Sequence, residues 1–166
     1  MARSRKLLLV GATGAVGQAV LTQALERRDI SSVTAITRRA LSPEWQKYAK
    51  LRNAMVDFSA LAGDAEYWAC DAVICTLGTT IKIAGSQAAF AKVDRDLPIE
   101  TARYAKAAGA TRYALNSSLG ASIKGNFYLR TKAEAEQGII VLGFASTTPV
   151  RPSLIDAARE TARPAG

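Results

Sequence analysis

The sequence predicts an α/β fold, in which a parallel β-sheet is covered by helices on both faces. Two observations support this prediction. Short apolar runs alternate with segments of helical periodicity along the chain. In addition, the first apolar run breaks at a glycine-rich turn and leads directly into a helical pattern. With 166 residues, 49% of them hydrophobic and 22% charged, the chain suits one soluble globular domain spanning residues 1–166.

The composition also excludes several classes of protein. The first five residues are too polar for a signal peptide, and no apolar run reaches the length of a membrane span, so we expect a cytoplasmic protein without a membrane partner. The formal charge is +8, but the basic residues are scattered and lack interleaved aromatic residues. We therefore expect affinity for a small anionic ligand and no specific binding of nucleic acid.

The cysteine content predicts no metal site. Cys70 and Cys75 are the two cysteines, and the chain has no histidine, so no plausible set of zinc ligands exists. Both side chains are expected to be buried thiols.

The stretch that organises the chain is the first strand, turn and helix. Gly11, Gly14 and Gly17 follow the apolar run of residues 7–10, and helical periodicity begins at Val16. Gly11 would allow a tight turn, Gly14 would let a diphosphate approach the backbone, and Gly17 would let the helix pack closely on the strand. The spacing is G-x-x-G-x-x-G, so an ordinary strand-to-helix turn is the alternative. We favour a phosphate site at the helix N-terminus.

A second β-rich run, residues 32–37, ends at Arg38 and Arg39. In a nucleotide-binding unit, this position contacts the adenosine ribose. Two guanidinium groups offer forked donors to a 2′-phosphate, whereas an acidic residue would repel it. NADP is therefore favoured over NAD. The alternative is a pair of solvated arginines in a loop.

Two further strands are predicted at residues 54–58 and 71–76. Asp57 ends the first of these, where its carboxylate could accept from an adenine amino group or could cap a helix beginning near Ser59. Small residues follow the other strand at positions 77–80, so backbone can approach a ligand there. The alternative is a plain loop.

The second half of the chain alternates in the same way. Helices are predicted over residues 86–93 and 97–108, separated near Asp94, with Gly109 as C-cap. A fifth strand at residues 112–116 leads to Ser117 and Ser118. A helix from Phe127 to about Gly138 and a last strand near residues 147–150 complete the pattern.

A second constellation lies after the fifth strand. Tyr128 and Lys132 are four residues apart on a predicted helix, so they share a face and can act on one ligand. In a carbonyl reductase the phenol would be the general acid, and the ammonium would make it more acidic while holding the nicotinamide ribose. Ser117 or Ser118 would orient the same carbonyl oxygen. A Tyr-x-x-x-Lys pair is weak evidence alone, but its place after the fifth strand favours this function.

These motifs resemble those of the atypical short-chain dehydrogenases/reductases, most closely the Tat-interacting-protein oxidoreductase group. The resemblance covers nearly the whole chain in the right order, and its more specific blocks are Leu-Gly-Thr-Thr at positions 77–80 and Val-Asp-Arg-Asp at positions 93–96. It implies a Rossmann-type doubly wound sheet that binds NADP(H). The sequence departs from the group at Ser153, where glycine is usual. We also expect the C-terminal substrate segment to be short or absent.

The resemblance also implies the site residues. Those at the diphosphate are Gly11, Thr13, Gly14, Ala15, Val16 and Gly17, and those at the 2′-phosphate are Arg38 and Arg39. Asp57 and Phe58 are implied near adenine, and Leu77, Gly78 and Thr79 beside the inner ribose. The implied reaction centre consists of Ser117 or Ser118, Tyr128 and Lys132.

Two functions follow from these interpretations. The first is an NADPH-dependent oxidoreductase that transfers hydride to a small carbonyl or quinone, with Tyr128 as general acid. The second is an NADP(H)-binding redox sensor or protein-interaction module with little catalysis, for which a homodimer or a regulatory protein would be the partner. Nucleic-acid binding rests on net charge alone and is the weakest interpretation.

Overall fold

The computed structural model describes residues 3–153 and contains one six-stranded parallel sheet. The strands are β1 (Arg5–Val10), β2 (Ile30–Thr37), β3 (Leu51–Met55), β4 (Ala72–Cys75), β5 (Arg112–Asn116) and β6 (Ser146–Val150). Their order in the sheet is β3-β2-β1-β4-β5-β6. The predicted doubly wound α/β fold is confirmed. Expectations about the first two residues and about the C-terminal segment fall outside the described residues.

The helices are α1 (Ala15–Glu26), α2 (Ile81–Ala84), α3 (Gln87–Ala91), α4 (Leu97–Ala107) and α5 (Phe127–Ile140). A π-helical turn, Lys92–Asp96, joins α3 to α4, and two short 3₁₀ helices occupy Pro43–Lys47 and Glu66–Trp68. In the described part of the chain, none of these helices is long and apolar enough to cross a membrane.

Strand β1 is buried on both faces because helices cover both sides of the sheet. Leu7 and Leu9 pack with Leu21 of α1 on one face. Leu8 and Val10 point to the other face, into the core that includes α4 and α5. Successive side chains of a strand point to opposite faces, so a strand covered twice needs the continuous apolar run seen in the sequence.

The order of the strands creates the place for a ligand. Strands β1 and β4 are neighbours, and the chain leaves β1 toward β2 on one side and returns to β4 on the other. In open parallel sheets a crevice forms at this switch point, beyond the carboxyl ends of the strands. Those ends here are Val10 and Cys75, each followed by one of the predicted small-residue turns.

Strand β3 corrects the sequence prediction. It spans Leu51–Met55 instead of residues 54–58. Because β3 is the edge strand, few of its side chains are buried, and its sequence therefore shows little apolar pattern. The more apolar Val56 and Phe58, which suggested the strand, follow it and pack against the core from a loop. A pattern based on burial therefore places this strand too late in the chain.

The helix expected near Ser59 is absent from the described residues. Asp57 Oδ1 accepts hydrogen bonds from Ser59 N at 2.9 Å and from Ser59 Oγ at 2.6 Å. Such local side-chain bonds favour a turn over a helix.

The expected break near Asp94 is also wrong. Ala91, Asp96 and Leu97 all have right-handed helical backbones, so the helical path continues through the π turn. Pro98 has no N–H to donate to the preceding turn, and the wider π turn accommodates that missing bond. Gly109, with φ of +106°, follows the end of α4 and terminates the helical segment as predicted.

Candidate active site

The glycine turn has the geometry that close packing requires. A Cβ atom on Gly17 would lie 1.9 Å from Gly11 O, so the first turn of α1 can approach β1 because this residue is glycine. Gly11 has φ of +94° and packs against Thr76 after β4, whose hydroxyl donates to Gly11 O at 2.9 Å. Gly14 is different, because the nearest atom to its Cβ position is 3.8 Å away. The space above Gly14 is therefore open to a ligand.

No side chain caps the N-terminus of α1. Gly14 occupies the N-cap position, and the first turn contains no acidic residue. The unpaired N–H groups and the positive end of the helix dipole are thus available to a phosphate. This arrangement and the open space at Gly14 fit the diphosphate of a dinucleotide.

A cleft of about 460 Å³ lies beside this turn at the carboxyl ends of β1 and β4. Predicted cofactor residues from four separate segments line it: Gly11, Thr13, Arg38, Phe58, Leu77, Gly78 and Thr79. Residues that were not predicted also contribute, mainly from α2, α3 and the π turn: Ile83, Ala84, Ala89 and Val93. Helices α2 and α3 thus form part of the cleft wall, a contribution that was not predicted from the sequence.

The two arginines differ in position. Both are exposed, but Arg38 lines the cleft and Arg39 is not among its lining residues. The backbone carbonyl of Arg39 accepts a hydrogen bond from Thr37 Oγ1 at 2.6 Å, which fixes the turn after β2. Arg38 is therefore the arginine of the pair that borders the cleft.

Asp57 lies apart from the cleft lining, whereas its neighbour Phe58 is part of it. The hydrogen bonds that Asp57 accepts from Ser59 hold the pKa of its carboxyl below the usual value. Phe58 offers the cleft an apolar ring surface at the end predicted for adenine.

Tyr128 and Lys132 share one face of α5, as predicted. The Lys132 ammonium lies 5.7 Å from the centroid of the Tyr128 ring, and that ring lies 5.4 Å from the ring of Phe90. The predicted reaction-centre residues are not part of the cleft lining: Ser117, Ser118, Tyr128 and Lys132. Lys132 lies next to that lining, because a Cβ atom on Gly78 would be 4.0 Å from its Nζ.

Sequence reasoning assigned no partner to Lys132, and the structure supplies one. Lys132 Nζ donates to Asp94 Oδ1 at 2.5 Å, and the Asp94 side chain is fully buried. The other carboxylate oxygen accepts from the backbone N–H of Thr79 at 3.0 Å. Burial raises the pKa of the Asp94 carboxyl, while the charge of Lys132 opposes that rise. Asp94 thus ties the lysine to the loop that borders the cleft.

The two serines after β5 have different environments. Ser117 is buried, and its hydroxyl has no hydrogen-bond partner among the described residues. Ser118 is half-buried, and its Oγ makes a long bond of 3.4 Å to Leu119 O. Ser118 is therefore the more accessible of the two hydroxyls.

A second ion pair anchors the end of β6 to α5. Arg151 donates to Glu136 at 2.9 and 2.6 Å, and the Glu136 side chain is buried, whereas Arg151 is half-exposed. Burial alone would raise the pKa of Glu136, but the bonds from Arg151 hold that pKa below the usual 4.5. Glu136 lies one turn beyond Lys132, so the pair fixes the helix that carries the predicted reaction centre.

Replacing Arg151 by glutamine should lower the free energy of unfolding at pH 7, because it leaves the buried carboxylate of Glu136 without its cation. The folded-state pKa of Glu136 is depressed, so its contribution is present above pH 4.5 and disappears as the pH falls through the folded value. Urea unfolding should therefore show a difference that shrinks in acid. Arg130→Gln is the control, because its ion pair with Glu134 is 3.7 Å long and exposed. An equal loss in both variants would contradict this assignment.

The thiols are not reactive groups of this site. Cys75 is buried as expected and Cys70 is only half-buried, and burial raises their pKa values to about 11 and about 12. Among residues 3–153, no group of three or more histidine, cysteine or acidic side chains could hold a metal ion.

Comparisons with known proteins show the family of the chain. A family model described as NAD(P)H-binding matches residues 11–160. The protein named fmp52, mitochondrial, of Emericella nidulans is 37% identical over 167 residues, which cover 95% of this chain and 70% of the relative. Protein HTATIP2 of Rattus norvegicus is 34% identical over 164 residues, covering 98% of this chain and 67% of the relative. The predicted resemblance to the Tat-interacting-protein group is confirmed.

Solved structures support the fold. A putative NAD-dependent epimerase/dehydratase from Bacillus halodurans has a TM-score of 0.73 at 22% identity, covering 95% of this chain and 74% of that one. MoeE5 in complex with UDP-glucose and NAD has a TM-score of 0.68 at 18% identity and covers 88% of this chain. The chain spans only 53% of MoeE5, about half its length.

One expectation is contradicted by these comparisons. The sequence analysis predicts a cytoplasmic protein, but the Emericella nidulans relative and further fmp52 relatives carry the word mitochondrial in their names. The prediction relied on the polarity of the first residues, which does not determine location.

Proposed function

The chain belongs to the NAD(P)H-binding family whose model matches it, and from this premise we propose that it is an NADP(H)-dependent oxidoreductase acting on small carbonyl or quinone compounds. The observation that carries the proposal is the position of the Lys132 ammonium next to the lining of the cleft. Gly78 lines the cleft that begins at the glycine turn, and its Cβ position is 4.0 Å from the ammonium of Lys132. A cofactor held at its diphosphate by α1 would therefore extend toward the face of α5 that carries Tyr128.

Each group of the site has a defined task in this reaction. NADPH supplies a hydride to the carbonyl carbon when it is bound. Tyr128 donates its phenolic proton to the carbonyl oxygen, so the C=O bond becomes an alcohol and solvent reprotonates the phenolate. Lys132 favours that phenolate through its positive charge and donates to the ribose. Ser118, the more accessible serine after β5, donates to the same carbonyl oxygen and orients it.

The preference for NADP(H) over NAD(H) rests on Arg38. Arg38 lines the cleft just after β2, where the adenosine ribose is expected. Residues 3–153 contain no ion pair that neutralises this side chain. A 2′-phosphate would receive forked hydrogen bonds from it.

Replacing Arg38 by alanine should abolish most of the discrimination between the two cofactors. Calorimetry on the parent protein should show NADPH binding at least about tenfold tighter than NADH, a difference of about 1.4 kcal/mol. Arg38→Ala should weaken NADPH binding and leave NADH binding unchanged, because only NADPH carries the 2′-phosphate. Arg39→Ala is the matched control and should have the smaller effect. Equal affinities of the parent for the two cofactors would refute the assignment.

A further inference from the structure

The buried ion pair between Asp94 and Lys132 is more than a structural link. Asp94 lies in a π-helical turn, a feature often found at functional sites, and it contacts both the lysine and the N–H of Thr79. Its Oδ1 would be 3.6 Å from a Cβ atom on Gly78, so the carboxylate lies directly beneath the cleft lining. The block Val-Asp-Arg-Asp is thereby connected to the Leu-Gly-Thr-Thr turn.

We propose that Asp94 is a positioning residue that holds the ammonium of Lys132 at the cleft and, as its counter-charge, sets the relative affinity for oxidised and reduced cofactor. This inference rests on the proposed function, because it needs a nicotinamide cofactor in the cleft. The oxidised nicotinamide ring is cationic and the reduced ring is neutral. A lone ammonium beneath the cleft would disfavour the oxidised form, whereas a neutral ion pair does not.

Two features make this role more specific than that of an ordinary salt bridge. The Asp94 side chain has no exposed area and that of Lys132 only 7%, so solvent screens their charges poorly. In addition, breaking a buried pair leaves the remaining charge uncompensated. Asp96 in the same turn differs from Asp94, because Asp96 is half-exposed and pairs with Arg95 on the surface.

Few other titratable groups face this pair. Cys75 on β4 senses both charges, but burial raises its pKa to about 11, so it stays neutral near pH 7. Glu136, one turn along α5, keeps its negative charge because Arg151 holds it. Tyr128 is the remaining neighbour, with its ring 5.7 Å from Lys132 Nζ. Within residues 3–153, removing the carboxylate of Asp94 therefore changes the local charge by one unit, with no nearby group that compensates.

The test is Asp94→Asn, which keeps the shape of the side chain and an oxygen for the N–H of Thr79. Calorimetry at pH 6.5 should show the ratio of Kd for NADP⁺ to Kd for NADPH rising about tenfold above the parent value, the order expected for exposing one unit charge at low effective dielectric. A merely structural aspartate would weaken both cofactors together and leave their ratio unchanged.

Asp96→Asn is the matched control and should leave the ratio unchanged. If Asp94→Asn does not fold, Asp94→Ser provides the second test, because it removes the charge and leaves room for water beside Lys132. An unchanged ratio in a folded Asp94 variant would overturn this inference alone. A parent protein that binds neither form of the cofactor would overturn both the inference and the proposed function.

Discussion

Replacing Tyr128 by phenylalanine is expected to lower the rate of NADPH-dependent carbonyl reduction by about a hundredfold or more, the usual share of a general acid. The change removes one hydroxyl and keeps the ring, which packs 5.4 Å from Phe90. NADPH affinity should barely change, because the cofactor is held by the glycine turn, Arg38 and Lys132. Steady-state kinetics with a panel of quinones, aldehydes and ketones, together with calorimetry, provides both measurements.

The control is Phe90→Leu, which alters the packing around Tyr128 without removing the phenol and should cost much less activity. A redox sensor or a protein-interaction module would behave differently from an enzyme. Its parent form would already show negligible turnover, and Tyr128→Phe would change nothing measurable. NADPH-bound and NADP⁺-bound protein would then differ in the binding of a partner. That outcome would contradict the enzymatic assignment and favour the regulatory one.

The second large effect is expected at the glycine turn, where two similar substitutions should have opposite consequences. Gly17→Ala places a Cβ atom 1.9 Å from Gly11 O and 2.9 Å from Ala12 Cα, which are backbone atoms that cannot move independently of β1. We expect the free energy of unfolding to fall by about 3 kcal/mol or more, at the upper end of overpacking effects. Urea unfolding measures this loss.

Gly14→Ala is the matched variant. Its backbone is extended, with φ of −77°, and the nearest atom to the new Cβ is 3.8 Å away, so stability should change by less than about 0.5 kcal/mol. NADPH binding should nevertheless weaken at least about tenfold, because the methyl group occupies the approach of the diphosphate to the backbone. A folded Gly14→Ala protein with parent affinity would show that no diphosphate lies there.

The sheet was predictable where strands are buried and clearly bounded. Strand β5 lies at Arg112–Asn116 as predicted, since Gly109 ends the preceding helix and the serine pair follows the strand. The edge strand β3 was misplaced by three residues because its exposed side chains carry little apolar signal. The π turn depends on Pro98 and on packing against α5, and helical periodicity alone does not distinguish it from a break.

The candidate site shows the same division. Local spacing correctly places Tyr128 and Lys132 on one face of α5, because four residues make about one turn of helix. The partner of Lys132 was not predictable in this way, since Asp94 is 38 positions away and their contact depends on how α5 packs against the π turn. Sequence also could not distinguish Ser117 from Ser118, because only the direction in which β5 ends determines which hydroxyl is buried.

The most direct test of the central claim is transfer of deuterium from NADPH labelled at both C4 positions of the nicotinamide to a carbonyl substrate, followed by mass spectrometry of the product. The account predicts that the parent protein yields an alcohol with deuterium on the former carbonyl carbon, and that Tyr128→Phe forms the same product about a hundredfold more slowly. Oxidation of NADPH without deuterium in the product, or no oxidation with any compound of the panel although NADPH binds, would contradict it.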